Sequence, residues 1–222
     1  MKKMLFFATL VAAMSLNAQN VYQKLTAAPT DWTGTYLIVC EDENVVFNGA
    51  ANEENIDAKG GAAIITDITI TDNTIAGTPT LDAATFTIVP SEDELWQWAI
   101  QSASGLYIGH KDTADNGLST ELEIKGKCKH TLALDADANL IATPKWEKSG
   151  AAYTLQYNEA ADQLRFRYFK AGKKLPVQLY KQVSIPSALS QQTAAVKAVK
   201  RVENGQLVIV RGEQKFNVLG QN

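Results

Sequence analysis

The stretch from residue 96 to residue 108 constrains the fold most, because apolar and polar residues alternate along it. Trp96, Trp98 and Ile100 occupy every second position, so in an extended strand their side chains lie on one face. The small residues of 102–105 predict a tight reversal, after which Leu106–Ile108 returns as the partner strand. This pattern predicts a β-hairpin with one buried face.

The same alternation recurs along the chain and predicts an all-β fold, since helical spacing is nearly absent from the region 30–182. Three segments share an alternating strand, a short polar turn and an apolar return: YLIVCEDENVVF, WAIQSASGLYI and YTLQYNEAADQLRF. They begin at Tyr36, Trp98 and Tyr153, which are 62 and 55 residues apart. This spacing predicts a threefold internal repeat.

A closed barrel of β-trefoil type is the fold that such a repeat predicts, because closure removes exposed strand edges. A two-sheet β-sandwich built from the same hairpins is the alternative. Further hairpins are predicted over 64–76 and 130–143, and residues 111–118 are predicted as a loop. With a last strand at Val177–Lys181, the barrel domain occupies residues 21–182.

Residues 1–18 have the features of a cleaved export signal. Lys2 and Lys3 precede an apolar run over 4–16, and Ala18 ends a plausible cleavage site. The run is too short to cross a bilayer, and no later stretch is apolar enough to do so. We therefore expect a soluble exported protein without a transmembrane segment, located in the periplasm, on the outer surface or outside the cell.

The composition changes after the last strand of the barrel domain. Residues 183–197 are rich in Ser, Gln and Ala and contain Pro186, which predicts a linker. Residues 198–222 alternate again around Asn204-Gly205, a strong hairpin signal. We expect a small C-terminal β-hairpin unit, with strands over 198–202, 207–210 and 216–219. So short a unit cannot fold alone, and it is expected to pack on the barrel, pair with another chain or stay mobile.

The charge of the chain excludes a nucleic-acid backbone as an expected partner. The sequence has a net charge of −3, and removal of residues 1–18 reduces Lys and Arg from 21 to 19 against 24 acidic residues, a net charge of −5. Binding to phosphates through counterion release requires a basic surface.

Cys40 and Cys128 are the only cysteines. Cys40 continues the alternation of Tyr36 and Ile38, which predicts a buried thiol. Cys128 stands between two lysines, which predicts an exposed thiol. An exported protein can oxidise such a pair, so a disulfide and two free thiols both remain open, and the different settings favour free thiols.

Four residues are the candidates for contact with a ligand. Secreted β-barrels often present aromatic side chains at their rims, and Trp32 and Trp146 stand in polar, loop-like sequence, where half-buried loop anchors are the favoured alternative. Arg165 and Arg167 alternate with Phe166, so both are expected to face away from the core, where they could bind an acidic sugar, a phosphate or a carboxylate; a solvated polar stripe is the favoured alternative. Trp98 is expected in the core.

The sequence contains no recognisable catalytic or metal-binding motif. His110 and Asp112 stand near Ser102 and Ser104 in number, but serine is common in turns and a structural role is expected for all four. Residues 135–139 have the opening spacing of a calcium loop.

That calcium loop would require glycine and glutamate where Leu140 and Trp146 stand, so a hairpin turn is expected instead. We predict no cofactor, no metal and no catalytic residue.

Several segments resemble a group of secreted proteins from anaerobic Gram-negative bacteria of the gut and mouth. The matching stretches are DWTGTYLIVCE, ATFTI, IQSASGLYIG, LRFRYF and VQLYK, in that order. In that group they form an uncharacterised β-rich module, alone or attached to larger secreted proteins. The tail VENGQLVIVRGEQKFNVLGQN resembles a truncated sorting region of the type IX secretion system. The resemblance implies fold and export rather than an activity.

Taken together, these features predict a non-catalytic binding or accessory module at the cell surface, with a glycan or a surface protein as ligand. A secreted hydrolase acting on polymers is the first alternative, and it would need two carboxylates brought together, such as Asp112 or Asp115 with Glu121 or Glu123. A structural protein that assembles through its C-terminal hairpin is the second.

Overall fold

A computed structural model describes the backbone and side chains of residues 20–111, 116–145 and 152–183. It describes the backbone alone for residues 199–203, 206–211 and 214–216. The predicted signal at 1–18 lies outside the described residues, as does the linker at 183–197 beyond its first residue. No helix in the described part is long and apolar enough to cross a membrane.

The regular secondary structure of the unit Gln19–Ser184 is almost entirely β-strand, which confirms the all-β prediction. Its strands are β1 (Val21–Lys24), β2 (Gly34–Cys40), β3 (Val45–Phe47), β4 (Ile64–Ile65), β5 (Thr74–Ala76), β6 (Phe86–Pro90), β7 (Trp98–Ser102), β8 (Tyr107–His110), β9 (Leu118–Glu121), β10 (Lys129–Leu134), β11 (Leu140–Pro144), β12 (Tyr153–Asn158), β13 (Arg165–Lys170) and β14 (Gln178–Val183). One short helix, α1, spans Pro79–Ala83, and short 3-10 turns span Glu41–Glu43 and Gly126–Cys128.

Twelve of these strands form one antiparallel sheet, and β12 and β13 form a separate two-stranded sheet. The main path of the large sheet runs β11-β10-β7-β6-β2-β14-β1-β5, with the pairs β3–β4 and β8–β9 branching from it. Strand pairing within the described residues therefore does not close the predicted barrel. One further backbone hydrogen bond, from the Leu140 N–H to the Val177 carbonyl (2.7 Å), links the start of β11 to the residue before β14.

The structure confirms the hairpins that the alternating pattern predicts most clearly. β2 pairs with β3, β7 with β8, β10 with β11, and β12 with β13. Residues suited to left-handed backbone stand in the connections. Asn44 has a φ of 52° before β3, and Gly105 has a φ of 89° before β8. Turn residues of this kind favour the tight reversals that bring the two strands of a hairpin together.

One of the local predictions is wrong. The hairpin predicted over 64–76 makes its turn, because Thr71 and Thr74 pair across Asp72-Asn73, but the strands then separate. β4 pairs with β3 and β5 pairs with β1, so distant strands replace the neighbour as partners. The loop predicted over 111–118 ends at strand β9, which begins at Leu118 and pairs with β8, and 112–115 lie outside the described residues.

The main core holds a cluster of aromatic rings from distant parts of the chain. The Phe47 ring stacks on Phe166 at 4.8 Å between centroids and contacts Phe86 at the same distance. Tyr157 lies 4.9 Å from Phe166. These contacts hold the β12–β13 hairpin against β3 and β6, where no strand pairing joins them.

Strand β2 is buried on both faces, whereas alternation alone predicts one buried face. Tyr36, Ile38 and Cys40 enter the main core, and Leu37 and Val39 enter a second apolar cluster. The second cluster also holds residues of β1, β5, α1 and β14: Tyr22, Ile75, Leu81 and Tyr180. A strand covered on both sides has a continuous apolar sequence, as GTYLIVC shows.

A polar network joins the end of β2, the β10–β11 turn and β14. The Gln178 side chain donates to Asn139 Oδ1 (2.6 Å) and accepts from the Glu41 N–H (3.0 Å). The Glu41 carboxylate in turn accepts from Tyr180 Oη (2.7 Å) and pairs with Lys24 (2.8 Å). Because Gln178 is buried, these hydrogen bonds replace the water that its amide has lost.

The C-terminal segment forms its own antiparallel sheet of three strands in chain order. These are β15 (Val199–Glu203), β16 (Gln206–Arg211) and β17 (Gln214–Phe216). Glu203 pairs with Gln206, which is the register of a two-residue hairpin and agrees with the prediction around Asn204-Gly205. The third strand begins two residues earlier than predicted, and 217–222 lie outside the described residues.

Both cysteines are buried and free. Cys40 lies in the main core as predicted, and burial raises the pKa of its thiol to about 12. The prediction of an exposed Cys128 is wrong. Its side chain is buried at the end of a 3-10 turn, and its Sγ donates to the Tyr107 carbonyl (3.5 Å).

Replacement of the network amide, Gln178→Ala, is expected to lower the free energy of unfolding by about 1–3 kcal/mol, because it leaves the partly buried Glu41 N–H and Asn139 amide without their partner. Urea unfolding measures the change. The matched control is Gln23→Ala at an exposed position of β1, which should change stability by less than about 0.5 kcal/mol. Equal effects of the two substitutions would contradict the role of the network.

Both thiols are expected to resist a thiol reagent in the native protein and to react after unfolding in guanidinium, because neither is exposed. Intact-mass spectrometry without reductant should show both cysteines reduced. A mass lower by two hydrogen atoms would show a disulfide and contradict the buried, separate placement.

Candidate functional site

Trp32 does not lie on a rim, and of the two interpretations that the sequence left open the loop anchor fits its place. Its side chain is only 4% exposed and belongs to the main core. The Tyr36 hydroxyl donates to the Trp32 carbonyl (2.7 Å) and holds the loop against the sheet. A buried indole offers no face to a sugar, so Trp32 is a loop anchor. Trp146 lies outside the described residues.

Arg165 and Arg167 lie on β13 and are both partly buried, on either side of the buried Phe166. The Arg167 guanidinium binds Asp57 with two hydrogen bonds, from Nε to Oδ1 and from Nη2 to Oδ2, and Arg165 donates to Gln163 Oε1. Burial, and secondly the charge of Arg167, lowers the pKa of Arg165. The pair is thus engaged within the chain, and Asp57 compensates part of its charge.

Trp96 and Trp98 are partly buried, and Trp98 packs against the main core as expected. Asp93 braces the loop before β7, since its carboxylate accepts from the N–H groups of Leu95 and Trp96, each at 3.1 Å. Lys145 also binds this carboxylate (3.1 Å). These contacts hold the pKa of Asp93 well below its usual range, with the Trp96 N–H as the largest cause.

The serines and histidine that stand near one another in sequence have structural surroundings. Ser102 Oγ lies 2.8 Å from Ser104 Oγ and accepts from the Leu106 N–H (3.2 Å), which are contacts of a hairpin turn. The His110 ring is buried and packs edge-to-face on Tyr153, with centroids 4.9 Å apart. Asp112 lies outside the described residues.

The carboxylates proposed for a hydrolase do not form a described pair. Glu121 binds Lys125 and Lys127, each at 2.7 Å, and hydrogen bonds from these two lysines lower its pKa. Asp112 and Asp115 lie outside the described residues. Glu121 is therefore occupied by cations of its own loop rather than held ready for acid–base chemistry.

The Asp135 loop is a hairpin turn, as predicted. Asp135 Oδ1 accepts from the N–H groups of Asp137 (2.9 Å) and Asn139 (2.8 Å), and Oδ2 accepts from the Asn139 amide (3.0 Å). The oxygens that would bind a cation are thus used to form the turn. In the described part of the chain, no cluster of three or more His, Cys, Asp or Glu side chains is arranged to hold a metal ion.

His130 is a buried imidazole within the sheet. Its Nε2 lies 2.7 Å from Tyr168 Oη, and the two rings stack with centroids 5.6 Å apart. Burial lowers the pKa of His130 from 6.5 to about 4, so the ring is neutral at physiological pH. Burial likewise raises the pKa of Tyr168.

The candidate ligand site is a groove of about 680 Å³ where the β3–β4 and β12–β13 hairpins approach each other. Val45, Ile64 and Leu164 form its apolar part. An extended segment, Thr66–Ile70, forms another wall. Concave sites that combine apolar walls with a few polar groups are typical of ligand binding.

Polar residues also line the groove, among them Glu43, Asp67 and Tyr157. The Tyr157 side chain is 1% exposed, and burial raises the pKa of its hydroxyl, with smaller contributions from Cys40, Glu43 and Glu159. Asp67 Oδ2 accepts a hydrogen bond from Thr66 Oγ1 (3.1 Å), and no ion pair of Glu43 or Asp67 is found among the described residues. The groove thus offers two carboxylates without a cation to a ligand.

Sequence patterns could not locate this groove, because its walls come from four segments distant in sequence. A weak signal exists in ITDITI at 65–70, where β-branched residues continue past β4 and are interrupted by one aspartate. Such a run is typical of a strand, yet its part beyond β4, Thr66–Ile70, pairs with no strand within the described chain.

No protein-family model, no curated protein and no solved structure matches this chain.

Lowering the pH from 6.5 to about 4 is expected to destabilise the protein, because the unfolded state binds a proton at His130 that the folded state excludes. The loss should be about 2–3 kcal/mol and can be measured by urea unfolding at several pH values. Asp93, Glu121 and Asp135, whose pKa values are lowered in the folded chain, add to the loss of stability only as the pH falls to their ordinary values of about 4 and below.

The control for this prediction is His130→Gln, which keeps a polar side chain but removes the titrating ring. This variant should lose most of the dependence on pH between 6.5 and 4. A pH dependence as steep in the variant as in the wild-type chain would show that other groups cause it.

Proposed function

We propose that the chain is an exported, non-catalytic binding or accessory module of the cell surface, that its ligand is a glycan or a surface protein, and that the groove is its ligand site. The observation that carries this proposal is the lining of the groove, which combines apolar walls with Glu43, Asp67 and Tyr157. These groups suit recognition, because carboxylates and a hydroxyl accept or donate hydrogen bonds while the apolar walls exclude water.

Export to the cell surface is supported by the sequence of residues 1–18 and by the resemblance to a secreted β-rich module. The same resemblance supports an accessory role, since in that group the module also occurs attached to larger secreted proteins. The acidic net charge favours ligands other than nucleic acids.

We also propose that strands β2 to β14 form a β-trefoil. Six strands follow one another in the order β2, β6, β7, β10, β11 and β14, and β14 pairs with β2. The hydrogen bond from the Leu140 N–H to the Val177 carbonyl supports the remaining contact, between β11 and β14. The pairs β3–β4, β8–β9 and β12–β13 interrupt this order at three equivalent places, as three cap hairpins of a trefoil do.

This order favours the trefoil over the two-sheet sandwich. A sandwich gives no reason for a series of six strands into which three hairpins are inserted at equivalent places. It also moves one boundary of the proposed repeat. The third unit then begins at β11, rather than at Tyr153 as the sequence pattern predicts. The groove lies where the first and third cap hairpins meet.

Filling the groove is expected to abolish ligand binding. Thr69 is exposed and lines the groove, so Thr69→Trp adds a large ring there without disturbing the core. The wild-type chain should bind a component of a glycan array or of a cell-surface extract, and the variant should bind it at least tenfold more weakly. The matched control is Thr131→Trp, at an exposed position of β10 that does not line the groove.

Two outcomes would contradict the proposal. The array and the extract could both yield no ligand for the wild-type chain. Alternatively, a ligand could bind Thr69→Trp and Thr131→Trp equally well, which would place its site elsewhere.

A further inference from the structure

The extended wall of the groove has unsatisfied backbone groups. Ile68, Thr69 and Ile70 lie between β4 and the turn at Thr71, and the described chain makes no hydrogen bond to their N–H or carbonyl groups. Ile68 and Ile70 pack partly against the second apolar cluster, whereas Thr69 is exposed. The segment therefore has the alternation of a strand, anchored on one face, without a pairing partner.

Both ends of this unpaired segment are defined. Asp67 has a φ of 60°, which ends the extended backbone on one side. On the other side, Thr71 and Thr74 exchange backbone hydrogen bonds of 2.8 and 2.9 Å across a two-residue turn. Three residues are thus held extended beside an open groove.

The polar groups of the groove indicate the charge of a ligand that would bind beside this segment. Glu43 and Asp67 line the groove, and the described residues provide no cation for either of them. Tyr157 also lines the groove, and its side chain is almost fully buried. A ligand with one basic side chain would complement both carboxylates.

We propose that the groove binds an extended polypeptide segment of a partner protein, which adds as a strand beside Ile68–Ile70 and places a lysine or arginine between Glu43 and Asp67. This inference rests on the proposed binding function and specifies its ligand. Strand addition supplies affinity through main-chain hydrogen bonds, and side-chain contacts supply specificity.

The other occupants fit the groove less well. A sugar ring stacks on an accessible aromatic face, and the aromatic residue of this groove, Tyr157, is 1% exposed. A second copy of the segment Thr66–Ile70 contains no basic residue. Self-pairing would bring a second Asp67 toward Glu43 and Asp67, and like charges repel.

The test uses the full chain and short capped peptides of alternating threonine and valine with one central lysine. Backbone NMR measures binding and its location, and fluorescence anisotropy measures affinity. The lysine peptide should shift the amide signals of Ile68, Thr69 and Ile70. A peptide with glutamate in place of the lysine should bind about fivefold more weakly or worse.

Two N-methylated forms of the lysine peptide test strand pairing directly. Each form carries methyl groups on alternate amides, so each loses the donors along one edge of the extended peptide. One form should lose binding and the other should keep it. Equal binding of both forms would overturn strand addition.

The double substitution Glu43→Gln and Asp67→Asn tests the charge. It should remove the preference for lysine over glutamate while leaving the fold unchanged, since neither carboxylate has an ion pair in the described chain. An unchanged preference would overturn the placement of the basic side chain.

These results separate the inference from the proposed function. If the lysine peptide does not bind at millimolar concentration but Thr69→Trp abolishes binding of a glycan, the module binds in the groove and strand addition is wrong. If neither peptide nor any other ligand depends on Thr69, both proposals fail.

Discussion

The pairing of β2 with β14 is the interaction on which the rest of the structure depends. It joins the beginning of the domain to its end, and both strands lie in the middle of the large sheet. Because β2 is buried on both faces, its backbone groups must find partners within the protein. The flanking strands β6 and β1 extend the pairing on either side, and the Gln178 amide carries the hydrogen bonding on to Glu41 and Asn139.

Buried polar side chains in this protein serve the framework. Gln156 donates to the Phe169 carbonyl (3.0 Å) and accepts from the Lys174 N–H (2.9 Å), so it fastens the β12–β13 hairpin to the following turn. His130 contacts Tyr168, and Gln178 joins three segments. Groups committed in this way are not available to a ligand. Our proposal therefore assigns recognition to the groove, where the carboxylates of Glu43 and Asp67 have no ion pair in the described chain.

Side-chain alternation and turn residues predicted the all-β fold and four of its hairpins, because these features act between neighbours in the sequence. The same reasoning failed where a distant partner competes. β4 joins β3 and β5 joins β1, although the turn between them forms as predicted. The exposure of Cys128 was also wrongly predicted, since the lysines beside it gave no information on what the tertiary structure packs over it.

The sequence by itself determined most of the segments that form strands and where most of them turn. The tertiary structure alone decided that β2 is covered on both sides, that Arg167 is bound by Asp57, and that Glu43 and Tyr157 share a groove. The physical reason is the range of the interactions. Alternation and turn preferences are local properties of the chain, whereas burial, ion pairing and the shape of a groove depend on residues more than a hundred positions apart.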